Sequence, residues 1–302
     1  MIDRITIYIK DVDFTLVEKR LGLTPSGIAK DSSFNYSAKI KNLKGNYRGR
    51  TLWIEGSLHK YAKKNNYSLF TYDEARNVLY ELSDIIGIDL QYFIVTKIEL
   101  GLNMCMVYEP KKYIDIIHSY RHNRFYYMTP MAGTSKIRGC RCKLSEYEIK
   151  FYDKTFEVIH SDKVKVVDRD TIPINILRYE LAMSRKQLKS IGLKNVTGKN
   201  LLSPLHYTRF KRVMTQIYNK IVFNDDTISY AGMLEDDVKR YIFATSENYD
   251  RYLAYLKEYV SEEAYKKERR RTNILLKRVD SLKTGKLKTE LKTKFQLAIS
   301  LI

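Results

Sequence analysis

The chain has 302 residues, with 54 Lys and Arg against 35 Asp and Glu, a formal net charge of +19 and a pI of about 9.6. This length allows one large domain or two small ones, and the charge favours a polyanionic partner such as DNA or RNA. No apolar run approaches the roughly 20 residues that a bilayer span needs, and no basic segment precedes an apolar signal core at the first residues. We therefore expect no membrane partner and a cytoplasmic protein.

Strand patterns dominate the first two thirds of the chain. Apolar residues alternate with polar ones in six segments, and this period of two predicts strands. The predicted strands cover residues 5–9, 33–40, 47–54, 95–104, 147–152 and 176–183. A turn at residues 44–46 separates the second strand from the third. A helix is predicted from Thr71, which with Glu74 forms a capping box, to a stop at Gly87, and a helix end and loop are predicted from His160 to Asp170.

Long helical patterns replace the strands after Pro204. The predicted helices cover residues 205–223, 234–243 and 249–260, and a basic segment follows at residues 266–294. The boundary should lie near residues 195–205. We therefore predict an α+β protein with a first domain at residues 1–200, built on a mainly antiparallel sheet flanked by helices, and a helical, basic domain at residues 201–302.

Three of the predicted strands carry an ionisable group on the face opposite their apolar side chains. Alternation along a strand sends successive side chains to opposite faces. The polar faces carry Glu99 with Lys97 and Asn103, Tyr152 with Lys150 and Glu148, and Glu180 with Arg178. If the three strands belong to one sheet, these groups could assemble a site.

Such a site suits cleavage of a phosphodiester by covalent catalysis, which needs a nucleophile, stabilisation of the developing charge and commonly a divalent metal. Tyr152 would be the nucleophile. Lys154 could contact a phosphate or lower the phenol pKa from its ordinary value of about 10. Carboxylate ligands favour Mg²⁺ or Mn²⁺ over zinc.

A purely structural interpretation competes with this one. With 25 tyrosines in the chain, any single one is more often a packing or surface residue. Alternation alone also predicts Glu99 and Glu180 as solvated ion-pair partners of Lys97 and Arg178. Spacing by itself therefore does not establish a catalytic site.

Four blocks of the sequence together resemble the replication initiators of filamentous phages, the gene II/X family, and related plasmid and prophage initiators. The blocks are MIDRITIYI at the start, residues 55–60 followed by Asn66, residues 96–100, and the pair formed by residues 149–154 with Glu157 and residues 177–180 running on to residues 185–193. Lys97 and Glu99 stand where the family has Arg and Asp. The resemblance spans roughly residues 1–200, and no His-hydrophobe-His metal motif is present.

The resemblance implies a nicking and closing enzyme, with a catalytic domain at residues 1–200 and a DNA-binding or accessory domain at residues 201–302. Members of the family open one strand of an origin, stay attached through a 5′-phosphotyrosine, leave a 3′-OH that primes rolling-circle synthesis, and later rejoin the strand. Carried over by position, Tyr152 is the nucleophile, and Tyr179 is disfavoured because related sequences accept Phe there. The metal candidates are Glu99 and Glu180, then Glu157 or Asp153, with His59 as a substitute for the missing histidine motif.

The resemblance also implies the partners, double-stranded and single-stranded origin DNA with a host helicase and polymerase, in the cytosol of a bacterial host. Basic residues near the proposed site and in the last third of the chain are the candidates for DNA contact. They are Lys60, Lys150, Arg178, Arg185, Arg269, Arg270 and Arg271.

Three other readings stay open at this point. A plasmid or integrative-element relaxase would use the same tyrosine in a different replicon. A non-catalytic DNA-binding regulator would bind DNA without nicking it, with Tyr152 and the glutamates only packing. An RNA-binding module is disfavoured because no aromatic stacking motif of the RNA-recognition type is present.

Overall fold

The computed structural model describes residues 1–28, 34–129, 136–160, 172–225, 230, 232–246, 248–280 and 284–302. The chain divides into two compact units. The first contains residues 1–223 together with residues 290–302, and the second contains residues 224–289. Within the described residues, no helix is both long and apolar enough to cross a membrane.

A large antiparallel sheet forms the centre of the first unit. Its strands are β1 (Ile2–Ile9), β2 (Thr24–Ile28), β3 (Phe34–Ile40), β4 (Leu43–Arg48), β5 (Thr51–Ser57), β6 (Ile94–Cys105), β9 (Tyr126–Tyr127), β10 (Gly139–Lys143), β11 (Tyr147–Asp153) and β12 (Ile176–Ser184). In the described ranges they lie in the order β2-β3-β4-β5-β1-β6-β12-β11-β10-β9. A smaller sheet joins β13 (Ile221–Phe223), β7 (Ile117–Tyr120) and β8 (Asn123–Arg124).

The helices flank this sheet and fill the C-terminal region. They are α1 (Phe14–Leu21), α2 (Leu58–Lys63), α3 (Tyr72–Ile86), α4 (Pro110–Asp115), α5 (Lys154–Ile159), α6 (Arg185–Ser190), α7 (Gly198–Leu201), α8 (Pro204–Tyr218), α9 (Glu235–Ala244), α10 (Tyr249–Tyr255), α11 (Glu262–Asp280) and α12 (Lys286–Ser300). A π-helical turn covers Leu256–Val260. The protein is therefore α+β, as predicted.

The predicted helix over residues 71–87 is confirmed together with its signals. Thr71 and Glu74 form the reciprocal capping box, and Gly87 adopts a left-handed conformation at the C-cap. The buried side chains recur at helical spacing along one face of α3. The predicted helix end near residue 160 is also confirmed, since α5 ends at Ile159, whereas residues 161–170 lie outside the described part of the chain.

The predicted turn at residues 44–46 is wrong. The chain turns instead at residues 41–42 and 49–50, so that β4 runs through Gly45 and pairs it with Ala38 of β3. A Cβ at Gly45 would lie 3.1 Å from that of Ala38. The Gly-Asn pair resembles a turn in sequence, but here the glycine serves a close approach of two strands.

The apolar face of the sheet is covered by helices from the end of the chain. Tyr179 of β12 packs against Tyr218 of α8 and Phe295 of α12, with ring centroids 6.1 and 5.8 Å apart. Helix α8 therefore belongs to the first compact unit, whereas the sequence places a boundary before it. The prediction that no strands follow Pro204 is also wrong, because β13 pairs with β7. The proposed functional division at residue 200 stays a prediction.

Candidate active site

Three adjacent strands carry the polar residues singled out in the sequence. Strand β12 lies between β6 and β11, with Glu180 directly opposite Lys150 on one side and Gly101 on the other. Tyr152 lies opposite Arg178 in the same register. Because residues two apart on a strand share a face, the polar groups of all three strands lie on the same side of the sheet. The structure therefore brings the polar groups of the three strands together on one face of the sheet.

Glu180 is the centre of this polar face. Its Oε2 accepts a hydrogen bond from the Tyr152 hydroxyl at 3.1 Å, and its Oε1 accepts one from Lys150 Nζ at 2.9 Å. The Nε of Arg178 lies 3.4 Å from the same Oε2. Glu180 and Arg178 are buried, so the predicted solvated ion pair is wrong for these two residues. One carboxylate thus contacts the candidate nucleophile and two cations.

Arg178 is an almost fully enclosed cation of the site, with a side chain that is 1% exposed. Its guanidinium pairs with the Asp3 carboxylate and donates to the Asn66 carbonyl and to Asn103 Oδ1, both at 3.0 Å. It lies flat against β6, where a Cβ on Gly101 would come within 2.1 Å of it. A glycine inside this strand therefore makes room for a buried guanidinium.

A second group of polar residues holds Asp3 in place. The Ser57 hydroxyl donates to Asp3 Oδ1, and the Asn66 amide donates to Asp3 Oδ2 at 3.4 Å. His59 is buried nearby, stacked on Phe70 with centroids 4.8 Å apart. No role was predicted for Asp3, Ser57 or Asn66, although all three lie in the sequence blocks described above. Their polarity next to apolar strand residues was the available signal.

The charges of the site set the protonation states of Tyr152 and Glu180. Burial raises the pKa of Tyr152 well above 10, and the neighbouring Glu180 carboxylate raises it further. Burial alone would raise the pKa of Glu180, but Arg178 and Lys150 outweigh burial and lower it. The proton therefore rests on Tyr152 in the free protein, where it is shared with a charged carboxylate.

Lys154 is completely buried, although the sequence predicts a group that reaches a phosphate. It forms an ion pair with Glu157, and its Nζ lies 5.8 Å from the centroid of the Tyr152 ring. Burial and the charge of Arg178 lower the pKa of Lys154 to about 8. Asp153 accepts a hydrogen bond from the Phe156 amide at 2.9 Å as the N-cap of α5.

The carboxylates on this face are the candidates to hold a divalent cation. Glu99 and Glu180 share one face of the sheet and line one groove, although Glu99 also pairs with Lys97 at 2.6 Å. Among the described residues, no group of three or more His, Cys, Asp or Glu is placed to hold a metal. Both Glu180 oxygens are engaged by Lys150, Arg178 and Tyr152, so the described residues do not form a ready cation site. Mg²⁺ commonly binds through one or two carboxylates plus substrate phosphates.

A groove of about 1220 Å³ opens over this face of the sheet. Tyr152, Glu180, Glu99 and Glu157 lie on its lining, and Tyr152 is half-buried there. Lysines also line the groove, among them Lys60 of α2. The candidate nucleophile is thus accessible from a large polar depression that also carries positive charge.

The other predicted DNA contacts lie in different surroundings. Lys150 and Arg178 are engaged inside the site, so their charges act on Glu180. Arg185 lies at the start of α6, within 3.4 Å of the Tyr8 hydroxyl and of Asn195 Oδ1. The three consecutive arginines of α11 are exposed and lie in the second compact unit, namely Arg269, Arg270 and Arg271.

Comparison with models of protein families and with curated proteins finds no match. Among solved structures, the chain aligns with the crystal structure of the di-domain ARO/CYC StfQ from the steffimycin biosynthetic pathway. The alignment has 10% identity, covers 72% of this chain and 94% of that chain, and gives a TM-score of 0.17. At this TM-score the alignment shows neither a shared fold nor a shared function.

Proposed function

We propose that the protein nicks one strand of DNA with Tyr152 as the nucleophile and serves as a rolling-circle replication initiator. The observation that carries the proposal is the Tyr152 hydroxyl hydrogen-bonded to the buried, charged Glu180 at the floor of a groove with lysines on its wall. A nucleophile beside a base that is itself held by further groups is the arrangement that covalent catalysis uses. The net charge of +19 suits a polyanionic substrate.

The reaction follows from these contacts. The Tyr152 oxygen attacks the scissile phosphorus while its proton passes to Glu180 Oε2. The bond from phosphorus to the 3′ oxygen breaks, the 3′ oxygen takes up a proton and leaves as a 3′-OH, and the 5′ phosphate stays on Tyr152. Attack by a 3′-OH on this phosphotyrosine reverses the steps and rejoins the strand.

Cations around Tyr152 stabilise the charge that develops on the phosphoryl oxygens. Lys150 and Arg178 hold Glu180 in its charged form, and Lys154 adds positive charge beside the tyrosine ring. Such preorganised charges contribute most when they are already in place before reaction. We further propose that Glu99 and Glu180 hold a Mg²⁺ or Mn²⁺ ion, which would neutralise charge on the phosphate.

The test is a nicking assay on supercoiled DNA that carries the origin of the cognate replicon, with magnesium or manganese. The wild type should nick the DNA and leave protein covalently attached to the 5′ end, and Tyr152→Phe should do neither. Tyr147→Phe is the matched control, because Tyr147 lies on the same strand and contacts the Tyr120 hydroxyl at 3.1 Å instead of Glu180. It should nick like the wild type.

Two results would contradict the proposal. If Tyr152→Phe still forms the 5′ adduct, another residue is the nucleophile. If the wild type binds the origin and never nicks it with either metal, the protein is a DNA-binding regulator. A plasmid or integrative-element relaxase would give the same nicking result, and the replicon whose origin is cleaved distinguishes it from a phage initiator.

A further inference from the structure

The groove beside Tyr152 has a wall of lysines that the proposed chemistry does not use. The hairpin of β3 and β4 contributes Lys39 and Lys44, and the end of α2 contributes Lys60 and Lys64. Three of them are exposed and Lys60 is half-exposed. None of the four forms an ion pair with any residue that the structure describes. Four positive charges therefore line one depression, and none of them is taken up by an ion pair among the described residues.

Their spacing makes this arrangement unfavourable for the free protein. Lys39 lies directly opposite Lys44 in the antiparallel register of the hairpin, and like charges at such positions destabilise a sheet. Lys60 lies in the last turn of α2, and Lys64 is its C-cap in a left-handed conformation. Glu55, the neighbour of Lys44 on the other strand, lies 3.6 Å from Arg4 instead. A ligand with repeated negative charges would offset the repulsion between Lys39 and Lys44.

Lys41, in the turn of the same hairpin, differs from Lys39 and Lys44 because its charge is satisfied by contacts within the fold. Its Nζ donates to Glu81 Oε1 at 2.7 Å and lies 4.1 Å from the centroid of the Tyr61 ring. A carboxylate and an aromatic face therefore satisfy Lys41 within the fold. Lys39 and Lys44 have neither in the described residues, although they belong to the same two strands.

The position of the hairpin over the groove depends on Gly56. This residue has φ of +151°, and a Cβ there would lie 2.6 Å from Leu43 Cδ2. The hairpin thus packs directly on the end of β5, and the Asn42 amide donates to the Ser57 carbonyl at 2.9 Å to hold it there. Ser57 in turn contacts Asp3 beneath Arg178. The lysine wall and the polar floor are therefore parts of one connected structure.

We infer that this wall, Lys39, Lys44, Lys60 and Lys64, binds the sugar-phosphate backbone of a single DNA strand and leads it to Tyr152. The inference rests on the proposed function for the identity of the nucleic acid. Proteins that bind single strands use a positively charged groove that follows the backbone, often with an aromatic side chain on which a base stacks. The half-buried Tyr67 lies on the same groove and supplies such a ring.

The test compares two triple variants that lose the same charge. Lys39→Ala/Lys44→Ala/Lys64→Ala removes groove lysines, and Lys19→Ala/Lys143→Ala/Lys220→Ala removes exposed lysines of the same compact unit that do not line the groove. The probe is fluorescein-labelled oligothymidylate of about 16 nucleotides, within the site sizes of single-strand binders. Fluorescence anisotropy gives the affinity over a series of KCl concentrations, with EDTA present so that no cleavage occurs.

Each phosphate contact to a single strand contributes about 0.7 to the slope of log K against log salt. The slope for the groove variant should therefore be smaller in magnitude by about 2, while the control variant keeps the wild-type slope. Equal losses in the two variants, or no binding of the oligonucleotide by the wild type, would overturn the inference. If the groove variant loses affinity only for a duplex of the same length, the occupant is duplex DNA and the single-strand assignment is wrong.

A second measurement needs no ligand. Removal of Lys44 relieves its repulsion with Lys39, so Lys44→Ala should raise the melting temperature at low salt, whereas Lys143→Ala should not. A lower melting temperature for Lys44→Ala would contradict the unfavourable pairing. These results are separable from the nucleophile test, because binding slopes can change as expected while Tyr152→Phe still nicks, or remain unchanged while Tyr152→Phe is inactive.

Discussion

The hydroxyl of Tyr152 donates a hydrogen bond to Oε2 of Glu180 at 3.1 Å across two neighbouring strands. The register places the two residues diagonally, since Tyr152 lies opposite Arg178 and Glu180 lies opposite Lys150. Diagonal pairs on one face are within reach of long and aromatic side chains. The contact therefore depends on the pairing of β11 with β12, and the cations beside it keep Glu180 charged.

We expect Glu180→Gln to lower the nicking rate by roughly 10²- to 10⁴-fold, the usual contribution of a general base. The amide keeps the size of the side chain but cannot accept the tyrosine proton. Glu148→Gln is the control, because Glu148 lies on the same face near Lys150 but does not contact Tyr152. Single-turnover nicking measures the effect, and equal rates for the Glu180 variant and wild type would remove Glu180 from the mechanism.

Gly101→Ala should destabilise the first compact unit by about 1–3 kcal/mol, because the new methyl group overlaps the Arg178 guanidinium. The cost should shrink in an Arg178→Lys background, where the planar group is gone. Urea denaturation followed by the fluorescence of the single tryptophan, Trp53 of β5, reports on this sheet. The four proteins form a double-mutant cycle. A coupling energy near zero would mean that the methyl group at position 101 does not clash with the guanidinium of Arg178.

His59 should make the fold sensitive to acid. Burial and the charge of Arg178 lower the pKa of His59 from 6.5 to about 3. As the pH falls below 6.5, the unfolded chain takes up this proton before the folded protein does, so stability is lost progressively between pH 6.5 and about 3. The wild type should lose up to about 1.4 kcal/mol per pH unit more than His59→Gln in this window.

The measurement for His59 is the free energy of unfolding at a series of pH values, again from Trp53 fluorescence. His118→Gln provides the control because His118 is exposed on β7. The carboxylates of the chain titrate in all three proteins, so only the difference between curves is informative. Parallel curves for wild type and His59→Gln would show that His59 takes up its proton equally in the folded and unfolded states.

Removal of divalent metal should abolish nicking but leave binding of the oligonucleotide intact. Glu99→Gln should raise the magnesium concentration needed for half-maximal nicking by roughly tenfold or more, since even residues that only orient metal ligands change affinity by that amount. Glu148→Gln should leave the magnesium dependence unchanged. Full nicking by wild type in EDTA would contradict the proposed role of the metal.

Alternation and caps were readable from short stretches of the chain. Strands β1, β6, β11 and β12, the capping box of α3 and the face that each polar residue occupies all follow from periods of two or 3.6 residues. The turn near residue 45 was misplaced because Gly45-Asn46 has the chemistry of a turn, although Gly45 lies within β4. At this position the pairing of β3 with β4 outweighs the local preference of Gly-Asn for a turn.

Sequence by itself determined that Tyr152, Lys150, Arg178, Glu180 and Glu99 lie on polar faces of strands, because side-chain alternation is a local property of the backbone. Only the tertiary structure decided that Glu180 is buried on β12, between the strand of Glu99 and the strand of Lys150 and Tyr152. It also decided that Arg178 pairs with Asp3 and that Lys154 is buried. These facts depend on strand order and register across more than 170 positions of the chain. No local pattern encodes that pairing, since it is selected by the packing of the whole sheet.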